Sequence, residues 1–590
     1  MSRTRMARAA ILGLAAAGTL QAMPAAANSA AAAYFSSRAD RTAVPMLLTQ
    51  DDRTYYTKLF SAIDAKDWST VQQMFAQRPD GPLHSVARAQ YYLAPTSPKI
   101  ELQPLTDLLQ KAPDLPWAAQ VESLAQKRGA AALPALPYAQ GLVSLPSMPR
   151  RQRPPSVDDG TMPSGIADSI TDHIVNDDPA GAQQLLDGID ASLSPQARAE
   201  WRQKVGWSYY IENNDAMARA VSLSATQGSG PWVAEALWTA GLASWRMDDC
   251  QSAALSFERT AAQTANSELR AAGEYWASRA WTRCRRPDKV ENLLRSAARA
   301  DETMYGMLAA EALGMRGQRP DREADFTNAD WQKLRTVPNV RDVVALAEIG
   351  RDELAGEVLR YQARIGDPSE YGALSRLARD LGLPSTQLWM AYNAPRGARP
   401  DEAARFPAPK WVPANGWQVD PALLFAHSLQ ESSFRTDAVS GAGARGLMQV
   451  RPGTARDMAS EDPRLSGRSG QLDNPSVNLA FGQLYLEQLR DNSATQGLLP
   501  KVMAAYNAGP VPVARWNTEI RDEGDPLLWM ESIPYWETRG YVATVMRNYW
   551  MYEKQAGGES DSRLGLVEGL WPKFPGLAGA DSVRVAYNGR

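Results

Sequence analysis

Between residues 230 and 315 the sequence repeats itself loosely, and the repeat is helical. Trp238 and Trp245 head one unit, followed by Cys250 and an apolar face of Ala253, Ala254, Leu255 and Phe257. Trp276 and Trp281 head the next, followed by Cys284 and then Leu293 and Leu294. Tyr305-Gly306 opens a further segment with Leu308, Ala309 and Leu313. A helical pair of about 34–38 residues cannot bury its apolar face alone. It must stack on its neighbours, so the chain is expected to form an α-solenoid.

The same pattern runs from about residue 30 to residue 395. Short segments carry apolar positions at three- and four-residue spacing, separated by Gly, Pro, Asp or Asn. Ser194-Pro195 is a helix start, a capping hydroxyl followed by a proline at the first helical position. Trp201, Val205 and Tyr209 then form one stripe, read as packing. Seven prolines between residues 133 and 165 predict an exposed, extended loop. A second breaker cluster, Pro395 to Pro413, separates this helical region from the C-terminal third of the chain. Beyond Gly557-Gly558 the tail holds Trp571-Pro572 and Phe574-Pro575 without periodicity, as an appendage to the body. The expected division is 1–27, 28–395, a linker 396–412, 413–556 and a tail 557–590.

At 590 residues one core does not suffice. A net charge of -3 argues against a broad basic face for nucleic acid. No internal stretch approaches the roughly 18–20 apolar residues of a membrane span. Arg3, Arg5 and Arg8 precede an apolar run from Ala9 to Ala17, then Pro24-Ala25-Ala26-Ala27. That reads as a secretory signal cleaved before Asn28, which places the mature protein outside the cytoplasm. Monomer is the default expectation.

Cys250 and Cys284 are the two cysteines. In an exported chain, hairpins stacked side by side bring such a pair within reach of a disulfide; two buried thiols are the other reading. The three histidines, His84, His173 and His427, are far apart and offer no metal spacing and no His-centred triad. No metal or other cofactor is expected, and the chemistry narrows to carboxylates.

Glu431 is the carboxylate that stands out. Asp420-Pro421 starts a helix whose core candidates are Leu423, Leu424, Phe425 and Leu429. Glu431 lies seven residues after Leu424, so it emerges at the end of an apolar stripe. Partial desolvation there raises a carboxyl pKa and makes it a general acid near neutrality. The small residues from Ser440 to Gly446 suit a backbone that approaches a ligand. Met448 and Gln449 put an apolar chain beside an amide, apt for a sugar's ring face and acetamido group. Tyr506 and Asn507 precede Gly509 at a helix end, with hydroxyl and amide available to a cleft.

Residues 413 to 555 resemble the catalytic domain of the soluble lytic transglycosylases, whose fold is similar to goose-type lysozyme. The resemblance rests on ordered motifs. Glu431-Ser432 with Phe434 is the first, and Ser440 through Gly446-Leu447-Met448-Gln449 the second. Asn478, Gly482, Tyr485 and Leu486 come next, then Ala505-Tyr506-Asn507-Ala508-Gly509, and last the run from Ile533 to Val542 containing Glu537-Thr538-Arg539. The helical region before them is similar to the family's ring-shaped superhelical domain. The resemblance thus implies an all-α chain, a superhelix followed by a mainly α lysozyme-like domain.

It also implies a periplasmic enzyme acting on peptidoglycan glycan strands, alone or beside other cell-wall enzymes. The bond cleaved would be the β-1,4 linkage between N-acetylmuramic acid and N-acetylglucosamine, leaving a 1,6-anhydro ring. Glu431 would be the catalytic acid and then base, with the substrate's acetamido group in place of a second carboxylate. Ser440, Met448, Gln449, Tyr506, Asn507 and Glu537 would hold substrate. Glu537-Thr538-Arg539 reads equally as an internal network, and Asp437 as a loop aspartate. Where many family members carry methionine this chain has Arg451. A hydrolytic muramidase and a non-catalytic peptidoglycan-binding scaffold are the competing readings.

Overall fold

The computed structural model describes residues 33–35, 43–315 and 324–585, and the expected signal segment lies outside them. The described residues are mainly helical, with two small two-stranded pairings among them. Its successive helices stack as hairpins. Trp238 meets Phe257 at 5.1 Å and Trp276 at 6.2 Å, and Trp245 meets Trp276 at 5.3 Å. The tryptophans of the repeat are therefore the glue between helices Trp232–Arg246, Cys250–Gln263 and Ser267–Arg283.

The hairpins share a turn that the apolar pattern hides. Asp177, Asn213 and Asp248 each adopt a left-handed backbone, one per hairpin. The next residue, Asp178, Asn214 or Asp249, caps the following helix by accepting from the backbone N–H of Gly181, Met217 or Ser252. Asn and Asp tolerate both the left-handed conformation and the cap position, so an acidic or amide pair is the reversal signal. Arg285 takes the same conformation one hairpin later, just after the disulfide that joins Cys250 to Cys284.

The proline-rich stretch is a strap whose arginine is clamped between two units. Leu142–Ser144 pairs antiparallel with Asn393–Pro395. Arg151, its side chain 9% exposed, bridges Glu235 of the superhelix and Glu531 of the C-terminal region at 2.8 Å each. Arg547 donates to the carbonyl of Pro149, and the Trp232 indole donates to that of Pro155. Proline leaves its carbonyl free as an acceptor, and buried cations seek such oxygens. The segment around Phe406 is also packed: Tyr552 donates to the Pro407 carbonyl and Arg405 pairs with Glu302. In the tail, Trp571 is buried beside Trp529, and Trp571–Pro572 pairs with Ser582–Val583.

Two helices position the C-terminal region's chemistry. Pro421–Ser432 starts on the Asp420 cap, and Leu423, Leu424, Phe425 and Leu429 are all buried. It packs along the long helix Trp536–Ala556, whose own buried face carries Tyr541, Val542, Val545 and Tyr549.

Candidate active site

Glu431 occupies the last turn of its helix, where Ser433 and Phe434 both turn left-handed and reverse the chain. Its carboxyl is largely desolvated. Burial pushes its pKa up to about 7 and the charge of Glu537 pushes the same way, while a hydrogen bond from Tyr541 pulls it down. That bond is short, with the Tyr541 hydroxyl donating to Glu431 Oε1 at 2.6 Å. A carboxyl that titrates near 7 is matched to giving and retrieving a proton at neutral pH.

The wall beside the acid is held by backbone contacts. Ser432 donates to the Leu447 carbonyl at 2.8 Å, tying the helix end to the loop. Asn478, fully buried, accepts from the Met448 N–H at 2.8 Å and donates to the carbonyls of Arg445 and Leu472. Tyr506 donates to the Met448 carbonyl at 2.7 Å. Gly446 sits at φ +74°, and a Cβ there would lie 2.3 Å from both Asn478 Nδ2 and the Leu472 carbonyl. The glycine is required by this internal approach, whereas open space surrounds Gly441 and Gly443.

A tyrosine row continues away from the acid. Tyr506 meets Tyr485 at 5.3 Å, and Arg451, exposed at the start of Pro452–Ala459, acts electrostatically on Tyr485. Behind the row His427 is buried, 4.9 Å from Tyr506. Burial lowers its pKa to about 4, so it is neutral there, with Nδ1 bonded to the Leu423 carbonyl. No group of His, Cys, Asp and Glu suited to a metal occurs among the described residues.

Residues 412–527 match the family description "Transglycosylase SLT domain". The chain is 33% identical over 156 residues to a soluble lytic murein transglycosylase of Escherichia coli K12, a match covering 26% of this chain and 24% of that one. It is 28% identical over 298 residues to a putative soluble lytic murein transglycosylase of Haemophilus influenzae, covering 49% and 48%. The chain thus spans about a quarter to a half of the length of these curated relatives. In fold it is similar to the 70 kDa soluble lytic transglycosylase of Escherichia coli, with TM-score 0.52 and 17% identity over 89% of this chain and 100% of that one. Residues 412–527 are a transglycosylase SLT domain.

Within this transglycosylase domain the expected residues take different places. Gln449 is left-handed at φ +49°, and its amide nitrogen donates to the carbonyls of Ala438 and Gly446. Ser440 Oγ accepts from the Ala444 N–H, closing the small-residue loop. Asn507 Oδ1 accepts from Thr538 at 2.6 Å, linking two motifs. Glu537 is exposed, and its charge reaches Glu431. Arg539 is instead internal, buried against Trp207 at 4.1 Å and Trp536 at 5.0 Å. Met448 departs from expectation. Its side chain is fully buried against Gly482, where a Cβ would lie 2.1 Å from the sulfur. It supports the wall from inside and does not offer the sugar an apolar face.

Tyr541 belongs to the last motif, from Ile533 to Val542, but the sequence reading gives it no role in the site. It lies one helical turn after Glu537, a spacing that puts both on one face of the same helix. Paired with an acid elsewhere, that spacing is the signal by which it is found.

Proposed function

We propose that the chain is an exported lytic transglycosylase that cleaves the β-1,4 bond between N-acetylmuramic acid and N-acetylglucosamine in peptidoglycan. On this reading residues 413–556 form the catalytic unit, residues 28–395 the superhelix and residues 1–27 a signal that delivers it to the periplasm. The observation that carries the reading is the desolvated Glu431 carboxyl, titrating at about 7 and held by Tyr541.

The protonated carboxyl gives its proton to the glycosidic oxygen as the bond from C1 breaks. The substrate's acetamido oxygen bonds to C1 and absorbs the developing charge. Glu431, now a carboxylate, takes the proton of the muramyl 6-hydroxyl. That oxygen attacks C1, displaces the acetamido oxygen and closes the 1,6-anhydro ring, which leaves Glu431 protonated again. Gln449, Tyr506 and Asn507 border the site as candidates for binding sugar. Asp437 supports no second acid, because it turns toward Glu353 of the superhelix.

Digestion of purified sacculi by wild type and Glu431→Gln, with analysis of the products, tests the reading. Anhydro-muropeptides from wild type and a loss of at least about 1,000-fold in the variant are expected. Reducing-end muramic acid would make the enzyme a hydrolase, and equal digestion by the variant would remove Glu431 from the chemistry.

A further inference from the structure

A groove of about 700 Å³ opens where the loop leaving the Glu431 helix meets the superhelix. One wall runs from Ser433 to Asp437, beginning two residues after the acid. The other is built by helices Asp352–Ile365 and Pro384–Tyr392. The left-handed pair Ser433 and Phe434 thus aims Glu431 to one side and supplies this wall on the other.

The lining combines two kinds of group. Trp389, Tyr392 and Trp411 line the groove as half-buried rings. Between them stand the carboxylates Asp352, Glu353, Glu357 and Asp437, none of which forms an ion pair within 4.0 Å among the described residues. Arg360 and Arg435 each have one nitrogen engaged, by Thr386 Oγ1 and by the Ser432 carbonyl respectively, and keep further N–H groups. Glu353 and Asp437 face each other across the seam, and burial together with the Asp437 charge raises the Glu353 pKa.

Aromatic faces interleaved with planar acceptors and donors suit a pyranose chain. Its C–H faces stack on rings while its hydroxyls both donate to carboxylates and accept from guanidinium groups. The volume lies within the range of ligand sites. A polyanion is disfavoured by the four carboxylates. We propose that this groove is a second glycan-binding site, holding a stretch of amino-sugar strand apart from the scissile bond. The proposal rests on the transglycosylase reading for its source of glycan, and it tests separately.

The test uses the full-length Glu431→Gln protein and chitohexaose, with binding followed by titration calorimetry. Two binding events are expected. Trp389→Ala and Trp411→Ala should each weaken one of them by at least about tenfold and leave the other in place. Glu353→Gln and Asp437→Asn, on exposed positions, should weaken the same event if the tryptophan variants fold poorly. A single event in the parent, or two unchanged events in all four variants, overturns the proposal. So does a free stem peptide that binds the parent and loses affinity in these variants while chitohexaose does not. Since binding requires no cleavage, an active Glu431→Gln enzyme would defeat the transglycosylase reading and leave the groove's result standing.

Discussion

The hydroxyl of Tyr541 donates to Oε1 of Glu431 across 2.6 Å, from a helix that packs along the acid's own. This bond opposes the burial that lifts the Glu431 pKa to about 7. Removing it in Tyr541→Phe leaves burial and the Glu537 charge unopposed. The Glu431 pKa then rises, and the alkaline limb of kcat/KM against pH moves to higher pH. The carboxyl also loses an orienting partner, so kcat falls by about tenfold. A pH–rate profile on sacculi checks both effects, and a limb that moves to lower pH refutes the assignment.

Glu537→Gln should move the same limb the other way. The Glu537 charge disfavours ionisation of Glu431, so neutralising it lowers the acid's pKa and leaves less of the protonated form at neutrality. The alkaline limb shifts to lower pH, and more so at low ionic strength, because Glu537 is exposed and screened by salt. Profiles of the variant at two salt concentrations measure it.

The helical architecture was legible because tryptophan and alanine positions recur at helical spacing. The Asp and Asn reversals were less so, since a capping pair carries no apolar signature. The role of Arg151 was hidden for a different reason: in a proline-rich run nothing local reveals that an arginine will find Glu235 and Glu531, 84 and 380 positions away. At the site, Glu431 was legible from the apolar stripe beneath it. Met448 misled because a motif places a residue in a loop without saying which way its side chain turns; here the gap above Gly482 takes it inward. Tyr541 stood in the last motif, but its role stayed hidden because it lies in a contact 110 positions away.

Asn478 should be among the least replaceable residues of the wall. Its side chain satisfies the Met448 N–H and the carbonyls of Arg445 and Leu472, all inside the protein. Asn478→Ala strands these groups and costs about 2–4 kcal/mol in a denaturant titration. Asn478→Asp should do no better, because a carboxylate keeps the acceptor for Met448 but loses both donated bonds. An aspartate variant as stable as wild type would mean that the Arg445 and Leu472 contacts contribute nothing.

Replacing the acid should stabilise the protein, and only at the alkaline end. In the unfolded chain Glu431 titrates near its ordinary value of 4.5, and in the folded chain at about 7. Raised in the fold, the group favours folding while protonated, below 4.5, and that contribution is lost as pH rises through 7. Glu431→Gln stays neutral throughout and can still accept from Tyr541. Its stability relative to wild type should be level near pH 4, grow between 4.5 and 7, and settle on the order of 3 kcal/mol higher above that. Glu268 and Glu553, whose pKa values burial raises to about 7 and about 8, act alike on both proteins and cancel in the difference. Paired unfolding measurements at pH 4.5 and 8 decide the matter, and an equal gap at the two pH values would show that Glu431 is not held against its ionisation.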